Sequence, residues 1–388
     1  MWMYFDFRTY FRMLRLAWRE RNPKNRRRLL VSLLLEVPLV ASFHAVCFFL
    51  DPILFPGLRR TQIRTPVFIL GHARSGTTLL HRLMSADCER FSAFLLYELF
   101  FPSLLQKKLI RWAARVDRRW LGGALEARVK RIEDRKFRAT RDMHYQSFTA
   151  PEEDDGVLKY SCASGIWIVQ LPYMGELDFY HVDRLPARQR RRLMRFYAEC
   201  VRRQVYLNGP EKIHLSKNPV FVGRLESLIE TFPDARIVVP FRNPEETLPS
   251  LLKLMQMAWR LRKWSDAQMQ RSLRVLADQS FHTYRYPLEV LSRHPETPHA
   301  IVDYSELVRE PKRVIERVYA DLGFPMTPGY EKTLLAEQQR ATLHETGHRY
   351  SLEEFGLRSD EIRTRLADLF ERFHWDEQAP PAAEGHGS

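Results

Sequence analysis

The sequence predicts an α/β fold in which a parallel sheet is flanked by helices. Short apolar runs alternate with segments of helical periodicity, which is the pattern of parallel strands joined by right-handed crossovers. The predicted strands are residues 66–70, 211–215, 235–241 and 299–304. The helices predicted to follow them cover residues 77–86, 220–231, a segment from Pro244, and 305–322. The intervening segments are long and helical, so the sheet should carry helical insertions.

The composition is that of a globular protein with an anionic partner. The chain has 388 residues, of which 45% are hydrophobic and 12% aromatic, enough to bury a sizeable core. Its net charge of +14 favours nucleic acid, anionic lipid or an anionic cofactor as a partner. Its four cysteines lie far apart and form no C-x-x-C pair, which gives no sign of a zinc ribbon or a disulfide framework and suits a reducing compartment.

Residues 1–65 are predicted to associate with a membrane. Residues 1–28 carry nine basic residues against two acids, and an apolar stretch follows. Glu36 and Pro38 interrupt that stretch, so its longest clean run is fourteen residues, Val37 to Leu50. Because a span needs about 20 residues, an in-plane or re-entrant anchor is predicted. The alternative is a helical hairpin packed on the domain.

The charges around the apolar stretch predict the cytoplasmic face of the membrane. Arg26 to Arg28 precede the stretch, and Arg59, Arg60 and Arg64 follow it. Basic flanks prefer the cytoplasm, and a single span could not keep both there. Residues 66–375 should form the main domain, and residues 376–388 a disordered tail. The basic insertion at 102–141 is either a solvated helical face or a functional patch.

A P-loop-like turn follows the first predicted strand. Gly71 and Gly76 frame four residues, as in G-x-x-x-x-G-K-[ST], but Thr77 replaces the lysine. Backbone N–H groups of such a turn, the hydroxyls of Thr77 and Thr78 and the dipole of the next helix should bind an anion. Without the lysine the turn cannot reach a γ-phosphate, and Arg74 should approach the end of a shorter anion.

A second anion site is predicted after the strand at 235–241. Arg242 follows this strand directly, at the sheet edge where ligands bind in open α/β folds. Asn243 should cap the next helix and Pro244 should begin it. Ser250 lies about two turns along that helix. Arg242 and Ser250 could bind a second phosphate, well away from the first; the alternative for Arg242 is an ordinary ion pair.

These motifs together resemble a known enzyme family. The stretches "GHARSGTTLLHRL" and "LSKNPVFVGRLESLIETFPDARIVVPFRNP", with Arg242 and Ser250, resemble the sulfotransferases that use 3′-phosphoadenosine 5′-phosphosulfate (PAPS). The Arg-Ser-Gly-Thr-Thr form is similar to the bacterial membrane-associated branch and the tyrosylprotein enzymes, whereas the cytosolic enzymes have lysine in place of Arg74. The resemblance runs from about Pro66 to Phe355.

The resemblance implies a donor site and a reaction. The 5′-phosphosulfate of PAPS would lie on the loop, and the 3′-phosphate on Arg242 and Ser250, with Tyr350 near the adenine or the 3′-phosphate. The implied loop residues are Arg74, Ser75, Gly76, Thr77 and Thr78. The product would be 3′-phosphoadenosine 5′-phosphate (PAP). The acceptor would be a hydroxyl, lipid-like if the N-terminal anchor is real, and neither a metal nor nucleic acid is implied.

The resemblance also implies catalytic residues. Arg74 would neutralise charge on the leaving 5′-phosphate, and Lys217 in "LSKNP" would share that work. In the arginine-type relatives a glutamate after the loop helix is the base, and Glu98, a lone carboxylate in an apolar run, is the nearest match. His144 is the second candidate, because the cytosolic enzymes use a histidine. The "PEEDD" stretch, residues 151–155, either borders the acceptor site or is a solvated acidic loop.

Three other functions compete with this interpretation. A P-loop kinase could use Asp303 as a magnesium ligand, although Thr77 in place of lysine opposes it. The stretch "HETGH", residues 344–348, matches the zinc-peptidase signature, but Gly347 and a capping box just afterwards place its histidines in a loop. A basic membrane adaptor without activity would leave both anion sites unexplained.

Overall fold

A computed structural model describes residues 3–137, 147–341 and 351–376, and it confirms the α/β fold. Its described part contains a five-stranded parallel sheet in the order β2-β3-β1-β4-β5. The strands are β1 (Val67–Ile69), β2 (Phe91–Ser92), β3 (Ile213–Lys217), β4 (Arg236–Phe241) and β5 (His299–Asp303). Four of them are the predicted strands. The two-residue β2 was missed because it is too short to give an apolar run.

Helices cover both faces of the sheet. From the N-terminus to residue 137 they are α1 (Phe7–Arg19), α2 (Pro23–Val31), α3 (Val37–Leu54), α4 (Thr77–Ser85), α5 (Leu96–Phe100), α6 (Leu104–Trp120) and α7 (Ala124–Phe137). Beyond residue 147 they are α8 (Ile166–Gln170), α9 (Ala187–Asn208), α10 (Leu225–Thr231), α11 (Pro244–Leu261), α12 (Asp266–Arg293), α13 (Tyr304–Arg309), α14 (Pro311–Asp321), α15 (Pro328–Ala341), α16 (Ser359–Arg365) and α17 (Ala367–Phe373). Shorter 3₁₀ turns are Pro56–Arg60, Asp154–Ser161, Val182–Arg184, Pro219–Arg224 and Glu353–Phe355.

The predicted helices agree with the structure except at one proline. The helix expected at 305–322 is two helices, α13 and α14, because Pro311 begins the second. The residue before a proline avoids helical dihedrals, and Glu310 has φ −134° and ψ 59°. The predicted helix at 220–231 begins as a 3₁₀ turn and becomes α10.

Strand β1 lies at the centre of the sheet between two cores. Its three residues are fully buried. Phe68 packs into one core with α9 and α10, while Val67 and Ile69 face the opposite core with α4 and α14. Because the strands are parallel, the segments after β1, β3, β4 and β5 all start at the same edge of the sheet.

The apolar N-terminal segment forms a longer helix than the sequence indicated. Glu36 and Pro38 do not end it: a π-helical turn at Ser32–Glu36 joins α2 to α3, and Pro38 falls in the first turn after it. A π turn shifts the hydrogen-bond register by one residue, which accommodates the missing N–H of Pro38. The result is one helix over Pro23–Leu54, 32 residues, long and apolar enough to cross a membrane by length and composition alone.

One face of this long helix is packed on the domain. Its buried residues include Leu33, Val37 and Phe48, which belong to the hydrophobic cores of the domain, and the buried polar residues His44 and Asp51. The opposite face is an exposed apolar stripe, called here the outer stripe: Val31, Leu35, Leu39, Phe43, Val46, Phe49 and Ile53. The helix is therefore docked along its length, as the hairpin alternative expected, and it still presents an apolar surface.

Asp51 attaches the end of α3 to the domain. This fully buried carboxylate accepts hydrogen bonds from the Leu104 and Leu105 N–H groups (3.0 and 2.8 Å) and from Ser103 Oγ (2.9 Å). It also accepts from Arg203 Nε on α9 (2.6 Å). Asp51 thus caps the N-terminus of α6 and neutralises a buried arginine at the same time.

We predict that Asp51→Ala strongly destabilises the protein, because it leaves the buried Arg203 with less compensation and the start of α6 without its cap. The free energy of unfolding should fall by roughly 3–5 kcal/mol, the usual cost of breaking a buried ion pair. Urea unfolding would measure it. The matched control is Asp278→Ala, which removes an exposed carboxylate 3.7 Å from Arg365 and should cost much less. Equal losses in the two variants would contradict the assignment.

Candidate functional site

The glycine loop joins β1 to α4 and leaves the start of that helix uncapped. Among the residues that the structure describes, no side chain caps α4, whose N-cap residue is Gly76. The loop closes on itself, since Ser75 donates to the His72 carbonyl from its N–H (3.2 Å) and its hydroxyl (2.5 Å). The first N–H groups of α4 are therefore free of side-chain acceptors, which is the arrangement that binds anions.

Both glycines of the loop are sterically required. A Cβ at Gly71 would lie 2.9 Å from the Pro240 carbonyl oxygen on β4. At Gly76, where φ is +91°, a Cβ would lie 2.6 Å from the Tyr304 ring. Arg74 also has a left-handed φ, +74°, so the loop crest is strained at the residue predicted to touch the ligand.

The structure brings Arg74, Arg242 and Ser250 into direct contact. Arg74 Nε donates to Ser250 Oγ (3.1 Å), and Arg242 Nη1 donates to the Arg74 carbonyl (3.4 Å). The Arg74 side chain therefore links the two candidate anion sites, and the separation of the two bound anions stays a prediction. The Arg74 side chain is long enough to reach from the loop to the second turn of α11.

Arg242 also forms the ion pair that the sequence left open as an alternative. Its guanidinium donates to Glu246 Oε2 from Nε (2.8 Å) and Nη2 (2.5 Å) and lies 4.2 Å from the centre of the Tyr304 ring. This i,i+4 pair is partly exposed, so it stabilises little and a phosphate could compete for the arginine. Asn243 caps α11 as predicted, accepting from Glu245 N–H at 2.9 Å.

Lys217 lies one strand away from the loop, at the end of β3. It pairs in register with Ile69, two residues before Gly71, and its side chain is 2% exposed. Its Nζ donates to Glu153 Oε1 (3.1 Å) and lies 3.5 Å from Glu152 Oε1. Burial alone would lower the pKa of Lys217, but the charges of Glu153 and Glu152 outweigh burial and raise it, so the ammonium stays charged.

The "PEEDD" stretch is anchored in the core and is not a solvated loop. Asp154 is 1% exposed and accepts from Tyr197 Oη and Ser216 Oγ (2.9 Å), with His214 Nε2 at 3.1 Å. Asp155 accepts from Ser164 Oγ (2.5 Å) and Arg224 Nη2 (3.2 Å). Burial raises the pKa of Asp155, and Arg224 opposes that rise. The two buried aspartates hold the preceding glutamates against Lys217.

Glu98 is buried but not alone. Its carboxylate is fully buried at the start of α5 and accepts hydrogen bonds from Leu95 N–H (3.0 Å), Tyr97 Oη (3.0 Å), Gln204 Nε2 (2.7 Å) and Arg111 Nη2 (3.1 Å). The expectation of a lone carboxylate in an apolar run is wrong, because Arg111 on α6 and Gln204 on α9 donate to it in addition to its sequence neighbours. Its role as a base stays a prediction.

A buried lysine supports the same network around Glu98. Lys107 is fully buried, donates to Gln204 Oε1 (2.6 Å) and lies 4.5 Å from the centre of the Phe94 ring. Burial lowers the pKa of Lys107 to about 8, against the opposing charge of Glu98. Arg111, Lys107 and the Gln204 amide therefore stabilise the Glu98 carboxylate in its buried position.

The remaining sequence candidates are less informative. His144, Tyr350 and the "HETGH" stretch lie outside the described residues. Asp303 caps α13, accepting from the Ser305 N–H (2.6 Å) and hydroxyl (2.7 Å), which leaves one of its oxygens for the magnesium of the kinase alternative. Within residues 3–137, 147–341 and 351–376, no cluster of histidine, cysteine, aspartate and glutamate side chains could hold a metal ion. The sequence did not distinguish Glu152 and Glu153 as site residues within the "PEEDD" stretch, because their contact with Lys217 depends on a strand far along the chain.

The fold and the loop define a class of protein: an α/β protein with a P-loop-like anion site that carries an arginine at its crest. Residues 66–328 match the model of the Sulfotransferase family, and the chain belongs to that family. The "omega-hydroxy-beta-dihydromenaquinone-9 sulfotransferase Stf3" of Mycobacterium bovis and that of Mycobacterium tuberculosis (strain CDC 1551 / Oshkosh) are each 27% identical to this chain over 281 residues. That match covers 66% of this chain and 62% of each relative, which is less than two thirds of their length.

Two solved structures share the fold. Sulfotransferase STF9 from Mycobacterium avium has a TM-score of 0.70 at 21% identity, with 95% of this chain and 92% of that chain covered. Sulfotransferase STF1 from Mycobacterium tuberculosis H37Rv has a TM-score of 0.64 at 18% identity, with 93% and 92% covered. At such identities the likeness shows the fold alone.

We predict that Gly76→Ala disturbs the whole site. The new Cβ must push aside the Tyr304 ring, on which Arg242 lies, and must occupy a left-handed conformation. The free energy of unfolding should fall by roughly 1–3 kcal/mol, the range for a strained backbone residue. Urea unfolding measures this loss. Gly175→Ala is the control, because no atom lies within 4 Å of a Cβ built there. An unchanged urea midpoint for Gly76→Ala would mean that the loop adjusts to the new Cβ without strain, and would contradict this prediction.

Proposed function

We propose that the protein transfers a sulfuryl group from PAPS to a hydroxyl of a lipid-like acceptor. The observation that carries this proposal is the contact of Arg74 with Ser250 and Arg242 at the start of an uncapped helix, inside the segment that matches the family. Two arginines and free backbone N–H groups at one sheet edge suit a ligand with two anionic groups.

In this proposal the 5′-phosphosulfate lies on Arg74, Ser75, Gly76, Thr77 and Thr78. The 3′-phosphate would replace Glu246 on Arg242 and replace Arg74 on Ser250, so donor binding exchanges contacts between protein groups for contacts with the ligand. Tyr350 stays a proposed contact to the adenine or the 3′-phosphate. The contact between Arg74 and Ser250 would then belong to the protein without nucleotide.

The proposed reaction is an in-line displacement at sulfur. The acceptor oxygen forms a bond to sulfur while the bond between sulfur and the 5′-phosphate oxygen breaks, and PAP leaves with that electron pair. Arg74 and the charged Lys217 would stabilise the negative charge that grows on the leaving phosphate. The acceptor proton passes to a base.

Two carboxylate positions compete for the role of base. Glu98 is the glutamate that the family resemblance implied, but its hydrogen-bond partners hold it in the core with no exposed surface. Glu152 and Glu153 flank Lys217, and their side chains are 12% and 42% exposed, so an acceptor can reach them. Both lie beside the charged group expected at the leaving phosphate, and we favour Glu152 because it is the better shielded from water of the two and is still accessible. His144 stays a further candidate.

Membrane attachment is proposed to occur through the outer stripe of α2 and α3, at the cytoplasmic face. The helix is long enough to span, but its other face is docked on the domain from Leu33 to Asp51. Crossing a bilayer would uncover Asp51 and Arg203, a buried pair that is costly to break. A helix that lies in the membrane plane keeps the docked face and buries the stripe. Because the relatives are named for a menaquinone derivative, a membrane-borne alcohol is the proposed acceptor class.

We predict that the protein binds PAP much more tightly than AMP, because Arg242 and Ser250 contact the 3′-phosphate. Arg242→Ala should lose roughly 2–3 kcal/mol of PAP affinity, the range for hydrogen bonds to charged groups, and little AMP affinity. Isothermal titration calorimetry measures both. Arg313→Ala, which removes a surface arginine paired with Glu310, is the control and should change neither. Equal affinity of the wild type for PAP and AMP would refute the donor assignment.

We also predict that Glu152→Gln keeps PAP affinity but loses about two to four orders of magnitude in turnover, the usual worth of a general base. Glu153→Gln removes the other carboxylate on Lys217 and is the matched control for a merely electrostatic effect. Glu98→Gln should lower the unfolding midpoint, because Arg111 loses its buried partner. If Glu98→Gln is as stable as wild type and alone loses turnover, the base is Glu98.

A further inference from the structure

A cleft lined by arginines lies at the edge of the sheet opposite the glycine loop. Its volume is about 720 Å³, and it lies between the segment before β1, the segment before β4 and α9. Its charged lining residues are Arg59, Arg60, Arg64, Arg202 and Asp234. Parallel strands begin at this edge and end at the other, so the cleft is separate from the proposed donor site.

The arginines of this cleft are incompletely neutralised. Asp234 is its one lining carboxylate, and it accepts a hydrogen bond from the Thr65 N–H at 2.6 Å. Within the described part of the chain, no carboxylate forms an ion pair with Arg59 or Arg60. Arg202 pairs with Glu199, but its Nε is buried without an acceptor. A group with several oxygens and negative charge would satisfy these donors.

The cleft continues into the end of the apolar helix. A second cavity of about 340 Å³ shares Arg59 and Arg202 with it and is lined further by Pro52 of α3 and by Leu58. Ile53, the last residue of the outer stripe, is 58% exposed beside it. A cationic cleft thus adjoins an apolar surface. A phospholipid presents the complementary pair, an anionic phosphate next to apolar acyl chains.

We propose that this cleft binds the phosphate of an anionic membrane lipid while the outer stripe contacts the acyl chains. The inference rests on the in-plane attachment in the proposed function and adds a headgroup site to it. Four guanidinium groups around one cavity suit the phosphodiester of an anionic headgroup better than that of a zwitterionic headgroup, whose own cation they would repel. Soluble phosphate shares the chemistry, and the experiment separates it from lipid.

The test is flotation of the full-length protein on two kinds of vesicle, phosphatidylcholine alone and phosphatidylcholine with phosphatidylglycerol in equal parts. The double variant Arg59→Gln/Arg60→Gln should lose about ten-fold or more in partition onto the anionic vesicles, since each basic residue near such a surface contributes strongly. Its partition onto pure phosphatidylcholine should not change. The control Arg309→Gln/Arg313→Gln removes the same charge from α13 and α14 and should lose far less.

Three results would overturn the proposal. Equal losses in the two double variants would mean that the net charge acts, and no loss in either would mean that the cleft does not meet lipid. A thermal shift by inorganic phosphate that Arg59→Gln/Arg60→Gln abolishes, with vesicle partition unchanged, would assign the cleft to a soluble anion. Calorimetry with PAP on the same variants separates this site from the donor site, because the cleft variants should bind PAP as the wild type does. If even the wild type fails to bind PAP, the proposed reaction fails while the vesicle comparison still decides the cleft.

Discussion

The parallel pairing of β3, β1 and β4 is the constraint on which the candidate site depends. In this register Ile69 lies beside both Lys217 and Val238, so the glycine loop, Lys217 and Arg242 all follow neighbouring strands at one edge. That is how Arg242 reaches the Arg74 carbonyl across 168 residues of sequence. A slip of one residue would turn Lys217 to the opposite face of the sheet, because side chains alternate along a strand. The chemistry proposed here therefore depends on the pairing of these strands, from which the proposal uses one side chain directly, that of Lys217 at the end of β3.

Features with local signals could be predicted from the sequence. The apolar runs predicted four strands, and Asn243 with Pro244 predicted the start of α11, because caps and strands are decided by a few adjacent residues. The family motifs predicted which of these local features meet in one site. The break at Pro311 has an equally local signal, but the apolar periodicity continues across it and predicts one helix where the structure has two.

The roles of the acidic residues could not be predicted, because they depend on partners far along the chain. The four acids of "PEEDD" look alike in sequence, and burial divides them into two anchors and two partners of Lys217. Tyr197 and Ser216, which hold Asp154, are 43 and 62 residues away. Glu98 likewise looked isolated in the sequence, and the structure makes it and Asp51 the centres of buried networks that each join three or more segments. Such a carboxylate depends on partners that only the tertiary structure brings to it.

The π turn at Ser32–Glu36 has a consequence for how the length of the chain can vary. The buried residues Leu29, Leu33, Val37 and Ala41 are spaced by four, and in a regular α-helix each such step rotates the buried face by about 40°, so the face would drift by about 120° over the three steps. The wider π turn absorbs part of that drift and keeps the four residues on one side. Removing one residue from this turn would keep the buried faces before and after it aligned, whereas removing one from Val37–Leu54 would swing Asp51 away from α6. A deletion of one residue is therefore expected to be tolerated at Ser32–Glu36 and not further along the helix.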